Sequence, residues 1–412
     1  MRIGIFTDTY KPNINGVVTS IEIKKRELEK LGHKVYIIAP TEPNYEEIDP
    51  DIIRLKSFKL VFQPEYRLTY PPKLETLKRI EVLNLDIIHA ETPFSLGLLG
   101  AYIAKKTGKP LVHTYHTLFP EYVHYLKLPK TGTKKMAESI SAIYCNACNY
   151  IISPSNQVKE KLLEYGVKRN ISVIPTGIDV CKFKNSKKIG IRKKLNIKEE
   201  EKVLIFVGRL GEEKNIDFLL DSLKLLKEKD DNIKLMLVGD GPYREKLKNR
   251  CKELNIEENV VFAGYVQREN IAEYYRESDI FVFSSLTETQ GLVVLEAMAT
   301  GIPVVAVKAS GVEDMVENGV SGFLTSLDEK EFVEKIDLIL NDEELYKEIS
   351  KKSMEEAEKF TPENTFAKMA DIYIELSEKR RMKIIKKALK LRRSRAARII
   401  ARFGKRRRKN KK

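Results

Sequence analysis

The sequence predicts an α/β fold of two Rossmann-like, doubly wound domains facing a central cleft. Three observations carry that expectation. Short uninterrupted Val/Ile/Leu runs alternate with amphipathic helical stretches along most of the chain, the pattern of parallel strands buried on both faces and joined by helical crossovers. The alternation lapses in the polar, Lys-rich stretch 182–201 and then begins again, as at a linker between two such units. The 412 residues suffice for two cores of ordinary size.

In the first domain, assigned to 1–185, Arg2–Phe6 reads as a strand, Gly16–Leu31 as a helix and Lys34–Ala39 as a strand. Further strands are expected at Asp86–His89, Pro110–His116, Asn149–Ser153 and Ile171–Pro175, with helices at Ser95–Lys106 and Asn156–Glu164 between them. In the second, assigned to 186–360, strands fit Val203–Gly208, Lys234–Val238, Val260–Ala263, Asp279–Ser284, Pro303–Val307 and Gly322–Leu324. Helices fit Ile216–Lys227, Pro242–Leu254, Asn270–Glu277, Gly291–Thr300 and Glu329–Leu340, and two more follow at Glu343–Phe360 and Pro362–Leu376. A polar hinge between two such domains implies a cleft, a preferred place for ligands.

Composition narrows the class. No apolar run is long enough to span a bilayer, and the N-terminus, MRIGIFTDTY, reads as a first strand and not as a signal peptide. A cytoplasmic protein is therefore expected, in which disulfides are rare. Cys145 and Cys148 form a C-x-x-C, but within the helical periodicity of Ile140, Ile143, Tyr144 and Ala147 and with no further ligands at zinc spacing. The pair is expected on a buried helix, without a metal. The net charge of +15 is local: residues 379–412 hold 19 Lys/Arg and no Asp/Glu, and the remainder carries −4.

Chemistry-bearing residues gather at predicted strand ends, where open α/β sheets bind ligands. The strand Ile280–Ser284 runs into Ser285-Leu-Thr-Glu288-Thr-Gln290-Gly291-Leu292 and then a helix carrying Glu296. Carboxylates accept hydrogen bonds from sugar hydroxyls, and unpaired N–H groups at a helix start offer donors to ligand oxygens. The competing reading is that Glu288 caps the loop and Glu296 pairs at a surface, and two glutamates alone carry little weight. The segment Val207-Gly-Arg209-Leu-Gly-Glu-Glu-Lys214-Asn215 places an arginine fork and a lysine point charge at another strand end, a pair able to flank a diphosphate. Leu237-Val-Gly-Asp-Gly-Pro242 is a glycine-rich turn that either admits a ligand to the backbone or turns tightly. In the first half, Gly16 starts a helix where N–H groups are unpaired, and His113-Thr-Tyr-His116 ends a strand facing the same cleft.

Together these elements resemble the retaining glycosyltransferases of family 4, which have the GT-B fold. The resemblance covers about residues 1–376 and rests on the E-x7-E spacing of Glu288 and Glu296 within TETQGLVVLEAMATGIPVVA, with VGRL…EKN, LVGDGP and GVSGFL in order. It implies that Arg209 and Lys214 bind the donor diphosphate, so that no cofactor is required and a divalent metal is at most stimulatory and not a site ligand. It implies further that Glu288 holds the hexose and Glu296 the ribose, and that backbone N–H groups of Gln290, Gly291 and Leu292 reach the sugar. Gly16 would approach the donor phosphate, His116 would contact the sugar near the anomeric centre, and the leaving diphosphate would itself deprotonate the acceptor. The helix at 361–378 would cross back to the first domain. Where many members read E-G-F-G, this chain reads Glu288-Thr-Gln-Gly291. That variant, with FTDTYKPNINGVVTSI, HTYHTLFPEYVHYL and YCNACNYIISPS, is similar to the bacterial 1,2-diacylglycerol 3-glucosyltransferases, implying UDP-glucose as donor and the 3-hydroxyl of diacylglycerol as acceptor.

Two segments bear on the acceptor. After His116 the chain is aromatic and basic, with Tyr122, Tyr125, Lys134 and Lys135; it fits a lipid-facing surface or an ordinary half-buried helix with solvated lysines. The tail 379–412 places Ile384, Ala388, Leu391, Ile399 and Phe403 broadly on one helical stripe, with Arg392, Arg393 and other cations around it. This is the pattern of a helix lying in an anionic membrane surface, and it predicts a peripheral enzyme at the inner face of the cell membrane. Aromatic residues for base stacking are absent but for Phe403, so specific nucleic-acid binding is not expected. The alternatives are a family 4 hexosyltransferase acting on a sugar, sugar phosphate or polyprenyl-linked glycan, a nucleotide-sugar epimerase, and a nucleic-acid-binding protein.

Overall fold

A computed structural model describes the chain except residues 14, 60–65, 122–129, 310 and 410–412, and describes the backbone alone at 130–131, 384 and 387–409. Two parallel sheets form its two halves. The first contains β1 (Arg2–Phe6), β2 (Lys34–Pro40) and β3 (Ile52–Leu55), a small antiparallel pair β4 (Ser57–Lys59) and β5 (Arg67–Thr69) standing apart, then β6 (Ile87–Ala90), β7 (Leu111–Thr114), β8 (Tyr150–Ser153) and β9 (Ile171–Val173). Its order is β3-β2-β1-β6-β7-β8-β9. The second contains β10 (Lys202–Val207), β11 (Ile233–Val238), β12 (Val260–Gly264), β13 (Ile280–Phe283), β14 (Val304–Val307) and β15 (Phe323–Thr325), in the order β12-β11-β10-β13-β14-β15. In each sheet the winding direction reverses once, between β1 and β6 and between β10 and β13. Those two switch points are where doubly wound sheets open a ligand crevice.

The strands are as apolar as the sequence requires of strands covered on both faces. Val203–Val207 are all buried, as are Leu235–Val238 and Ile280–Phe283. Phe206 and Phe283 stack across the β10–β13 switch with ring centroids 6.0 Å apart, fixing the floor beneath the loops that carry Arg209 and Glu288.

Three expectations need correcting. The strand placed at 110–116 ends at Thr114, whose pairing with Ile152 is the last with β8, and Tyr115 N–H still donates to the Ile152 carbonyl; His116 stands on the loop beyond. The stretch 182–201 is not a solvated linker throughout. It holds a short helix at Ile191–Lys194, and the buried Arg192 is 2.8 Å from Asp279 while the Glu277 carboxylate accepts from the N–H groups of Ile189, Ile191 and Arg192. The C-terminal helix and the tail are a single helix, Pro362–Lys409, since neither Gly nor Pro interrupts the sequence from 363 to 403. Its first turns bury Phe366, Met369 and Tyr373 against Ile3, Ile5, Val17 and Ile21 of the first domain. The crossing begins where Gly177 meets Pro362; a Cβ on Gly177 would stand 2.6 Å from the Pro362 nitrogen. Among the described residues, no helix is long and apolar enough to cross a membrane.

Candidate active site

The β10 and β13 loops converge as their strand order demands. Lys214 closes a short 3₁₀ turn after β10, and its ammonium forms an ion pair with the Glu288 carboxylate beyond β13, both side chains mostly buried. Ser284 fastens the two loops together by donating to the carbonyls of Lys214 and Asn215, each at 2.9 Å. Arg209 is more exposed and pairs with Glu213 at 2.6 Å. The glycines of LVGDGP have a packing task here: a Cβ on Gly239 would lie 1.9 Å from the Gly208 carbonyl oxygen, and one on Gly241 2.4 Å from that of Leu210. The turn after β11 thus presses on the backbone either side of Arg209.

Glu296 lies in the helix Leu292–Thr300, whose residues from Val294 onward are all buried. It is not a surface residue, because this helix has no polar face. Arg268 Nη2 donates to it at 3.1 Å and the Tyr275 hydroxyl lies 3.2 Å away. Burial pushes its carboxyl above the ordinary range, and the Arg268 charge and Tyr275 hydrogen bond do not fully offset this. Arg268 also donates to the Thr19 hydroxyl of the first domain. Gly291 is left-handed (φ +83°) and ends the loop just before this helix, leaving the N–H groups of Gln290, Gly291 and Leu292 at the helix start. Gln290 also uses its side chain: its amide accepts from Thr176 N–H at 2.7 Å and donates to Thr176 O at 2.8 Å. Thr289 donates to the His116 carbonyl at 2.8 Å. Both residues of the Thr-Gln variant therefore bind the β13 loop to the first domain.

From that domain, Gly16 opens the helix Gly16–Lys30 after an Asn15 cap, whose side chain accepts from Val18 N–H at 2.9 Å. Among the described residues nothing lies within 4 Å of where a Gly16 Cβ would be. Asp8, after β1, accepts from Ser95 and Thr92 hydroxyls and from Leu96 N–H, and ties the β1 and β6 loops together. His113 is buried on β7 and donates from Nδ1 to the Ala90 carbonyl at 2.8 Å; burial lowers its pKa to about 4. His116 is 2.8 Å from Glu91 through Nε2. Glu91 in turn meets Lys24 at 2.5 Å, and neither side chain is more than 1% exposed.

The structure thus joins Lys214 with Glu288 directly, while Arg209 pairs with Glu213 and Glu296 with Arg268 and Tyr275. Sequence reasoning missed Glu91, Lys24, Arg268 and Tyr275. One signal was legible. Lys24 falls on the apolar stripe Val17, Ile21, Leu28 of its helix, where a cation must be paired. Lys134 pairs with Glu121 at 3.0 and 3.1 Å, and Lys135 is exposed. Tyr122 and Tyr125, and the side chains of Arg392 and Arg393, lie outside the described residues. Cys145 and Cys148 are free and buried at the end of the helix Lys130–Ala147. Among the described residues no group of three or more His, Cys, Asp or Glu is arranged to hold a metal.

Comparison with known proteins shows the family. Residues 14–182 match the family profile "Glycosyltransferase Family 4" and residues 187–356 match "Glycosyl transferases group 1". The chain is 39% identical over 312 residues to the alpha-monoglucosyldiacylglycerol synthase of Streptococcus pneumoniae, covering 74% of this chain and 71% of the relative. To the synthase of the same name from Acholeplasma laidlawii it is 31% identical, covering 94% of this chain and all of the relative. The crystal structure of Anabaena HepE in complex with UDP superposes with a TM-score of 0.75 at 22% identity, over 90% of this chain and 99% of that one.

Proposed function

The chain belongs to the family 4 glycosyltransferases, of GT-B fold, and from that premise we propose that it moves glucose from UDP-glucose to the 3-hydroxyl of 1,2-diacylglycerol at a membrane surface. The single observation that carries the site assignment is the Lys214–Glu288 pair at the β10–β13 switch point. It provides a cation for a diphosphate and a carboxylate for sugar hydroxyls side by side, which is what the two halves of a nucleotide-sugar need. The synthases named above supply the acceptor.

In this reading the donor enters between Lys214 and Glu288. Lys214 and Arg209 take the diphosphate, Glu288 the glucose hydroxyls and Glu296 the ribose, and the N–H groups before the Leu292–Thr300 helix add donors. The C1–O bond to the diphosphate breaks as the acceptor oxygen bonds to C1 on the same face, and the acceptor proton passes to the departing diphosphate. Lys214 and Arg209 stabilise the charge that collects there, so the protein supplies no metal ligand. Gly16 leaves room for the donor phosphate, and His116 contacts the sugar. The basic end of the C-terminal helix holds the enzyme on anionic lipid, where the acceptor resides.

The test offers UDP-glucose, UDP-galactose and GDP-mannose to the enzyme over diacylglycerol in anionic vesicles, with the lipid product and its anomer analysed. α-Glucosyldiacylglycerol from UDP-glucose is expected; no lipid product from any donor would overturn the acceptor. Deleting 379–412 should abolish vesicle binding while leaving transfer to detergent-solubilised diacylglycerol. Undiminished vesicle binding would remove the tail from the reading.

A further inference from the structure

A buried polar network lies behind His116, at the β1–β6 switch point of the first sheet, and the reaction outlined above does not use it. Its centre is Lys24, whose ammonium has three donors and meets three acceptors: Glu91 Oε1 at 2.5 Å, His89 Nε2 at 3.4 Å and Thr114 Oγ1 at 3.5 Å. The second oxygen of Glu91 accepts from His116 Nε2–H at 2.8 Å. His89 Nε2 faces both Lys24 and, at 2.7 Å, the Thr114 hydroxyl, and its Nδ1 bonds to the Tyr373 hydroxyl of the crossing C-terminal helix. Lys24, His89, Glu91 and Tyr373 are all buried.

The charge states follow from this geometry. Burial pushes Glu91 up, but the Lys24 ammonium and the His116 hydrogen bond outweigh it and hold the carboxyl well below its ordinary range. Burial holds His89 neutral. The one buried anion is therefore shared between a saturated ammonium and the histidine at the cleft. A buried ion pair of this kind contributes little net stability compared with apolar residues of the same volume, so its presence behind a candidate site residue calls for another account.

We propose that Glu91, held by Lys24, is a positioning residue that fixes His116 with its proton on Nε2 and so keeps Nδ1 as an acceptor for a hydroxyl of the transferred sugar. Nδ1 has no partner among the described residues, while the Thr289 bond to the His116 carbonyl holds the same residue from the donor side. A histidine whose one nitrogen donates to a carboxylate presents the other in a defined state. Tyr373 closes the far end, so the helix that bears the basic tail also completes the support of the sugar site.

The inference rests on the assignment of His116 to the donor sugar, and its test is chosen to separate the two. Full-length enzyme carrying ¹⁵N-histidine at its five positions is compared with the Lys24→Met/Glu91→Gln double variant, which removes both charges at nearly constant volume. The His116 resonances, assigned by loss in His116→Ala, should report the Nε2–H form in the wild type and a mixture in the double variant. The kcat for transfer, and for acceptor-free hydrolysis of UDP-glucose, should fall about tenfold or more with KM for UDP-glucose within about twofold. In the His116→Ala background the double substitution should add no further loss. An unchanged tautomer, or losses that multiply in the two backgrounds, would overturn the proposal. Should the double variant not fold, Glu91→Asp keeps the charge facing Lys24 but withdraws it from His116, and the same outcomes decide. The tautomer reading needs no acceptor, so absence of glucolipid synthesis by the wild type would sink the functional assignment and leave this inference to its own measurement.

Discussion

Lys214 and Glu288 form an ion pair, and a diphosphate that takes Lys214 has to part them. That makes an unusual prediction for Glu288→Gln: UDP, which lacks the sugar, should bind more tightly to the variant than to the wild type. The magnitude follows from the pair's setting. Both side chains are 18% exposed, neither in water nor fully sealed. The unscreened attraction at an effective dielectric of about 20 is about 4 kcal/mol at 4 Å, whereas fully exposed pairs are worth about 1 kcal/mol or less after desolvation and entropy. Taking about 1–2 kcal/mol as the cost of extracting Lys214, UDP affinity should rise about 5- to 30-fold. Titration calorimetry with UDP measures this directly. Over the same comparison, glucose transfer should fall in Glu288→Gln, and Lys214→Ala should weaken UDP binding and lower kcat by about 100- to 1000-fold, as when one oxyanion donor is lost. If Glu288→Gln binds UDP no more tightly than the wild type, the two residues do not compete for the diphosphate and the site is drawn wrongly.

Two further expectations concern the same half of the molecule. Glu296 has its carboxyl raised from the ordinary value of 4.5 by burial, so the folded state holds this proton more tightly than the unfolded chain. Its stabilising contribution is present below that value and is lost as pH rises through the folded pKa. Glu296→Gln should therefore flatten the fall in melting temperature with rising pH, while weakening UDP-glucose binding about tenfold; an unchanged pH profile of melting would refute the burial argument. Gly239→Ala drives a Cβ to 1.9 Å from the Gly208 oxygen, at a φ of +137°, so the variant should lose about 2 kcal/mol or more of stability by urea titration and lose donor affinity through the displaced Arg209 loop. Wild-type UDP binding in this variant would show that the turn does not shape the site.

Much of this protein is legible in its sequence, because the signals are local. Val203–Val207 and Ile280–Phe283 read as strands without a partner in view, since a strand buried on both faces is apolar at every position. The helix Ile216–Lys227 begins and ends where its periodicity does. Glu288 and Glu296 stand eight positions apart within one strand–loop–helix unit, so their spacing is itself a sequence property, and with Lys214 and Arg209 it sufficed to name the family.

What only the tertiary structure decided is which charges meet. Lys214 and Glu288 are 74 residues apart, Lys24 and Glu91 67, and His89 and Tyr373 284. No periodicity reaches across such distances. Those meetings are set by strand order, which places β10 beside β13 and β1 beside β6, and by the closing of the chain when the last helix returns to the first domain. The burial of Glu296 has the same origin: its helix is wedged among elements that bury it from Val294 onward. The roles of Thr289 and Gln290 became readable only once the second domain stood against the first, because their partners, the His116 carbonyl and the Thr176 backbone, belong to the other sheet's loops. A sequence records each residue's preference for burial or charge. The cost of leaving a buried charge unpaired then selects its partner, and that selection is made in three dimensions.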